Sequence, residues 1–321
     1  MIRVGIMGMG YMGGVHLRNW QAREDAKVVA VCDINPAFGA TQGNIETGGD
    51  GLNLDGVAVY RSAAEMLAAE TLDAVTVALP THLHKAATIQ SLAAGLHVLC
   101  EKPMALSVQD CDEMIAAAKT AGKELMIAHC IRFWPEYAWL KSAVESEAFG
   151  AVKAADFSRL ASAPAWSADS WFANPAKSGG MALDLHIHDL DFIQYLFGAP
   201  AAIESEHAAL ANGQPGHVVS RMDYGAGKVV TATASWMMPP SFGFRMGFRV
   251  VFENAAAVLD GDGLMVYPPE GDAYAPERHV GNGYQREIEY FAARVAGPAG
   301  KDVITPEQAR ESVRLTLETM K

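Results

Sequence analysis

The sequence has little cysteine, little net basic charge and no long apolar run. Its four cysteines, Cys32, Cys100, Cys111 and Cys130, are scattered, with no C-x-x-C pair and no zinc spacing. That pattern excludes a disulfide-stapled scaffold and a zinc ribbon, and the four are read as reduced thiols, Cys32 and Cys100 as small buried hydrophobes. Lysine and arginine number 25 against 37 acids, a formal charge of −12. Without a basic stripe to neutralise phosphates, neither a nucleic acid nor an anionic membrane surface is an expected partner. No apolar run approaches the length of a membrane span. The chain enters its first motif without a basic region, a long apolar core or a cleavage site, so the expected compartment is the cytoplasm. Repeats and low-complexity tracts are also missing.

What is present is an ordinary globular composition, 50% hydrophobic and 19% charged over 321 residues, enough for two domains. The organising stretch is Ile2 to Asp33. A short apolar run ends in Gly8-Met9-Gly10-Tyr11-Met12-Gly13, a helix-like segment follows, and Val28 to Cys32 forms a second apolar run closed by Asp33. Strand, glycine turn, helix, strand and acid in this order fit a dinucleotide. Gly8 permits the turn, Gly10 lets the backbone approach a pyrophosphate, and Gly13 lets the helix sit close on the strand. Free N–H groups at the helix start favour the phosphates. Gly8, Gly10, Tyr11, Met12, Gly13 and Asp33 are therefore candidate cofactor contacts. The Asp33 carboxylate suits both ribose hydroxyls of NAD and repels the 2′-phosphate of NADP, and Ile34 and Asn35 supply no cation to offset that. NAD is the expected cofactor.

Beyond a Gly- and Asn-rich excursion from Gly43 to Gly56, apolar strands at 57–60, 74–79, 97–100 and 125–128 alternate with helical patterns. Ser107 and Asp110 make a capping box and Gly122 a stop signal. This predicts an α/β, doubly wound parallel Rossmann sheet over residues 1–125. The ends of its strands bring Met7 to Gly13, Asp33, Leu79 to His84 and Glu101 to Pro103 to one crevice. Residues 126–321 follow another grammar. Seven short strands from Val152 to Tyr267, with turns such as Gly225-Ala226-Gly227, predict an α+β domain with a large, open-faced, mostly antiparallel sheet. An amphipathic helix is expected over Met181 to Phe197, and helices over Tyr284 to Val295 and Glu307 to Met320 close the chain.

Two constellations carry chemistry. Lys102 follows a parallel strand between Glu101 and Pro103, where a cation stabilises an alkoxide as hydride leaves. Elsewhere a lysine at a turn is simply solvated. Glu101 either holds Lys102 or meets the nicotinamide ribose. In Asp184-Leu185-His186-Ile187-His188-Asp189-Leu190-Asp191, Asp184 and His188 share a helical face and His186 lies on the other side. An imidazole there can take a hydroxyl proton while the carboxylate orients the substrate. A buried core histidine is the plainer reading of such a residue. Asp184, His188 and Asp191 also have a spacing that admits a metal, but substrate work explains them equally, and no metal is expected. Arg159, Trp166 and Tyr284 come from segments that could reach the cleft, and core or surface roles explain each of them as well.

With these residues assembled, the chain resembles the Gfo/Idh/MocA oxidoreductases, the glucose–fructose oxidoreductase and inositol dehydrogenase group. The resemblance rests on Gly8 to Gly13, Leu79-Pro80 with His84, Glu101-Lys102-Pro103, Arg132 with Pro135, and Gly179-Gly180 leading into Asp184 and His188. It implies NAD(H)-dependent hydride transfer to or from a secondary alcohol or ketone of a sugar, sugar derivative or cyclitol. Lys102 looks like the catalytic lysine, and Asp184 and His188 like the acid and the proton-transfer histidine. Leu79, Pro80, His84, Glu101, Lys102 and, more loosely, Trp171 stand where the family meets its cofactor. Lys102, Arg159, Trp166, Asp184 and His188 are the expected substrate contacts. Homodimers or homotetramers through the second sheet are implied. Two other outcomes are compatible with the fold: an NAD-dependent glycosidase working by transient oxidation and elimination, and a catalytically silent sensor of sugar or NAD. The chain departs from the family at His186, where glycine is usual, and at Leu79-Pro80-Thr81-His82, where Thr-Pro-Asn is commoner.

Overall fold

The computed structural model describes residues 1–35, 51–164, 168–225, 227–297 and 300–321. In chain order the elements are β1 Ile2–Met7, α1 Tyr11–Gln21, β2 Ala26–Cys32, β3 Ala58–Tyr60, α2 Ala63–Ala69, β4 Ala74–Val77, α3 His84–Ala93, β5 His97–Glu101, α4 Val108–Ala121 and β6 Leu125–Ala128. Then come α5 Pro135–Glu145, β7 Val152–Leu160, α6 Pro175–Ser178, a π-helical turn Ala182–His186, α7 Ile187–Phe197, and β8 Ala202–Ala209, β9 Pro215–Asp223, β10 Val229–Ser235, β11 Arg245–Phe252, β12 Ala256–Asp260 and β13 Gly263–Tyr267. Helices α8 Gly283–Ala296 and α9 Pro306–Glu318 close the chain.

The chain divides into two compact units, one of residues 1–130, 166–178 and 284–313, the other of 131–165, 179–283 and 314–321. A single cut after residue 125 therefore does not describe them. The first unit ends at Cys130 and takes back both the segment around Trp171 and most of the closing helices. Packing explains the return of α8: Phe291 meets the buried Trp20 of α1 edge-on, with ring centroids 6.1 Å apart, and Trp20 donates to Thr76 Oγ1 of β4 at 3.0 Å.

The sheet of the first unit is parallel throughout, in the order β3-β2-β1-β4-β5-β6. The order reverses between β1 and β4, which opens a crevice at the carboxyl ends of those strands. The capping signals act as expected: Asp110 N–H donates to Ser107 Oγ at 3.1 Å, and Gly122 ends α4 with φ of 62°.

The second unit is built on seven strands in the order β13-β12-β11-β7-β10-β9-β8, antiparallel except for β7 beside β10. Alternation decides its faces. Phe157, Phe248, Val250, Val230, Ala232, Val218 and Met222 point one way and are buried, while Arg221, Val229, Arg249 and Val251 point the other way and are exposed. On the buried face Tyr137 of α5 lies edge-on to Phe192 of α7 and Phe248 of β11, at 4.9 and 5.3 Å. All seven strands expected in this half form. The helix expected over Met181 to Phe197 is a regular α-helix only from Ile187, because Ala182–His186 widens into a π turn.

Candidate active site

In the first unit the glycine turn is shaped by close approach. Gly8 has φ of 90°, a conformation that side chains disfavour, and a Cβ there would lie 2.4 Å from the Ala78 carbonyl. A Cβ on Gly13 would lie 1.9 Å from Gly8 O, whereas one on Gly10 would meet nothing within 4 Å among the described residues. Two glycines thus let chain elements touch, and the third keeps open space above the turn. Gly10 caps α1 without a side-chain hydrogen bond. The helix start thus presents its N–H groups and positive dipole end to an anion, which suits the pyrophosphate of a dinucleotide.

Asp33 stands just past β2 and ties the turn down, accepting from Met9 N–H at 2.6 Å and Asn35 N–H at 2.7 Å. Ile34 and Asn35 supply no cation, but one comes from further along the chain. Arg61, just past β3, donates from Nη1 to Ile34 O at 3.3 Å, and β2–β3 pairing, not sequence neighbourhood, brings it there.

His84 begins α3, is 1% exposed, and sets Nε2 2.7 Å from Leu79 O and Nδ1 2.8 Å from Pro103 O. Burial lowers its pKa, and the two carbonyls oppose that by favouring a ring with two N–H groups. Its place is behind the two loops, where it staples Leu79-Pro80 to Lys102-Pro103. Thr81–Leu83 forms a 3₁₀ turn between them, with Thr81 buried.

Glu101 ends β5 and is also buried. Its Oε1 lies 2.8 Å from His16 Nε2, and its Oε2 accepts from Lys102 N–H at 3.1 Å. Through the second of these bonds Glu101 holds the backbone at Lys102. Lys102 is the first residue beyond β5 and is half-buried. His16 escaped the sequence reading, although it stands three positions after Gly13 on the helix that follows the turn. Trp171, half-buried in the turn Ala168–Ala173, stacks on Phe172 at 3.9 Å and belongs to this first unit. Trp166 lies outside the described residues. Tyr284 is buried, and its phenol is pushed well above its ordinary value by burial and then by the charges around it.

In the second unit the π turn and α7 sort their side chains sharply. From Met181 to Leu190 every residue is buried except Asp184 and His188, which retain partial exposure. The expected pair is thus the accessible pair. His186 is 0% exposed, with Nε2 2.9 Å from Ser220 Oγ of β9, which is itself 2.8 Å from Ser205 Oγ of β8. Burial pushes the His186 imidazole down to about 3, so it stays neutral. A serine on the sheet thus accommodates the ring.

Two further candidates are engaged elsewhere. Arg159, 2% exposed, bonds Asp189 through Nη2 at 2.9 Å and Nε at 3.3 Å, a buried ion pair where a substrate contact was expected. Asp191 accepts from Arg132 at both oxygens, 2.8 Å each, with both side chains fully buried. That bidentate pair gives Arg132 its place in the fold. Among the described residues the group with metal-ligand atoms close together is a different one, His16, Glu101 and Glu287.

Strand order, glycine turn and terminal acid define a dinucleotide-binding domain, followed by an open-sheet domain. Residues 2–129 match the oxidoreductase family described as having an NAD-binding Rossmann fold, and residues 137–258 match the Gfo/Idh/MocA C-terminal domain. The chain belongs to the Gfo/Idh/MocA oxidoreductase family.

Among curated relatives, 2,7-anhydro-N-acetylneuraminate hydratase of Escherichia coli K12 is 30% identical over 243 residues, 74% of this chain and 62% of that protein. D-glucoside 3-dehydrogenase of the same strain is 32% identical over 204 residues, 62% of this chain and 55% of that protein. The chain spans 48 to 62% of the length of the first curated relatives it matches. Among solved structures, a levoglucosan dehydrogenase in complex with NADH and levoglucosan superposes with a TM-score of 0.81 at 20% identity, covering 99% of this chain and 96% of that one. At that identity the likeness establishes the fold.

Proposed function

We propose that this chain is an NAD(H)-dependent dehydrogenase or reductase acting on a secondary alcohol or ketone of a sugar, sugar derivative or cyclitol. The observation that carries this reading is the selective access left to Asp184 and His188 in an otherwise buried segment. It sits alongside a lysine at the end of a Rossmann strand and relatives named as sugar and inositol dehydrogenases. Bound NAD supplies the hydride acceptor. In this reading His188 takes the proton from the reacting hydroxyl, Asp184 orients the substrate, and the Lys102 ammonium stabilises the charge that develops on oxygen. Asp33 selects NAD over NADP, and the exposed sheet face of the second unit joins copies of the chain into a dimer or tetramer. The four buried free cysteines suit a reducing compartment, the cytoplasm. No helix among the described residues is long and apolar enough to cross a membrane.

A second reading has its own support, because one of the curated relatives is named as a hydratase. There bound NAD would take the hydride while His188 takes the hydroxyl proton, the same residues would assist elimination next to the new carbonyl, and the hydride and proton would then be returned, with no net redox change. The deciding experiment incubates sugars, anhydrosugars and glycosides with NAD and follows NADH absorbance and product release together. NADH accumulating with an oxidised sugar establishes the dehydrogenase, and product without net NADH the second reading. With whichever substrate turns over, Lys102→Ala is expected to lower kcat by about 10²–10³-fold or more while NAD still binds. Near-normal turnover would remove Lys102 from the mechanism.

A further inference from the structure

Glu287 of α8 is 0% exposed, and neither carboxyl oxygen has a hydrogen-bond partner among the described residues. An orphaned buried acid is costly, so the groups around it matter. Glu287, Glu101 at the end of β5 and His16 of α1 each bring one oxygen or ring nitrogen to within 4.8 Å of the others. Tyr284, one turn earlier on α8, is the further titratable neighbour, and Tyr11 and Cys130 adjoin it. Glu101 is well served, with one oxygen on His16 and the other on the Lys102 N–H.

Two carboxylates this close in a dry interior do not both ionise. The proton goes to the one without partners. Burial and the charge of Glu101 push Glu287 well above its ordinary value, while at Glu101 burial is offset by the His16 hydrogen bond and by His16, Lys102 and His84 together, which hold it below its own. A divalent cation is the rival occupant for such a cluster. The 2.8 Å contact of His16 Nε2 with Glu101 is, however, a direct hydrogen bond, which leaves no room for an ion between those two atoms.

We propose that Glu287 is a positioning residue of the cofactor crevice: a carboxyl that holds a proton at neutral pH, so that Glu101 keeps a single negative charge divided between His16 and the backbone of Lys102. The proposal rests on reading the end of β5 as part of the cofactor site. It also gives a reason for keeping an acid that lowers stability, since such costs are tolerated where function needs them.

The sign of that cost makes the test. At pH above the ordinary carboxyl value, folding must take up a proton at Glu287, so this group lowers stability progressively as pH rises towards its folded value. Glu287→Gln removes the penalty and keeps the shape. The full chain and Glu287→Gln are compared by thermal unfolding across pH, by infrared spectroscopy, by metal analysis and by NAD titration. The variant is expected to melt several degrees higher at about pH 8, with the gain shrinking towards about pH 5. It should lose one protonated-carboxyl C=O stretch that the natural chain shows at about pH 7. NAD affinity of the natural chain should fall about tenfold as Glu287 ionises at alkaline pH, a fall absent from the variant. A variant less stable at about pH 8, an unchanged infrared spectrum, a stoichiometric divalent metal lost on substitution, or equal alkaline loss of NAD affinity would each overturn the proposal. None of these readouts uses turnover, so they stand or fall apart from the catalytic role given to Lys102.

Discussion

The glycine turn of the first unit and the π-turned helix of the second are built by opposite means. At the turn, backbone packs on backbone, Gly13 against Gly8 and Gly8 against Ala78, and a single carboxylate, Asp33, ties down the Met9 N–H from 24 positions away. Around the helix the fixing contacts are side-chain pairs between distant elements, Arg132 with Asp191 at a separation of 59, Arg159 with Asp189 at 30, and His186 with Ser220 at 34. A site made of close backbone approach needs glycine at fixed positions. One made of distant pairs constrains only the pairing.

That contrast is broken most forcefully at Asp191. Replacing it with asparagine leaves the Arg132 guanidinium fully buried without its carboxylate. The expected loss is about 3–5 kcal/mol, seen as a lowered denaturant midpoint with unchanged slope. Arg132→Met with Asp191→Leu should recover much of it, because no uncompensated charge remains. Asp25→Asn, at the solvent-exposed pair with Arg23, is the control and should change stability by about 0–1 kcal/mol. If Asp191→Asn is as mild as the control, the pair does not fix the helix.

The same contrast explains what could be read from the residues alone. The parallel sheet, the seven-stranded second sheet and the Gly8–Asp33 site were legible because periodicity, glycine spacing and a terminal acid report local geometry. Lys102, Asp184 and His188 were legible as candidates by position and type. The π turn was not, since no residue between Ala182 and His186 announces i→i+5 bonding. Nor were the partners of Arg159 and Asp191, which are set by strand order: Arg159 reads as a cation available to a substrate until β7 is seen beside β10 and β11 with Asp189 buried against it. His16 and Glu287 were invisible for the same reason, each being an unremarkable helical residue until β5 places Glu101 between them.

A smaller and pH-dependent effect belongs to His186. Its folded pKa, pushed down to about 3, lies below the ordinary imidazole value of 6.5. The unfolded chain therefore binds a proton that the folded chain refuses. The contribution is fully present above the ordinary value and is lost as pH falls from there towards the folded one. His186→Asn should cost about 1–3 kcal/mol at neutral pH through the altered bond to Ser220 and the poorer packing. The gap should narrow as pH is lowered to about 5. Thermal unfolding of both proteins across that range checks it, and a gap independent of pH would show that His186 is not held neutral.

The smallest expected effect sharpens the first half of the comparison, where one side-chain contact was missed beside the backbone geometry. Asp33 repels a 2′-phosphate, yet Arg61 reaches the carbonyl of the next residue and supplies a cation that the local sequence hides. Asp33→Ser should therefore do more than weaken NAD. It should raise the ratio of NADP to NAD efficiency by about tenfold, since the guanidinium then faces the phosphate without a competing carboxylate. Adding Arg61→Ala to that variant should remove most of the gain while leaving NAD use at the single variant's level. If Asp33→Ser changes both cofactors equally, cofactor choice does not reside at the end of β2, and the glycine turn alone sets the affinity.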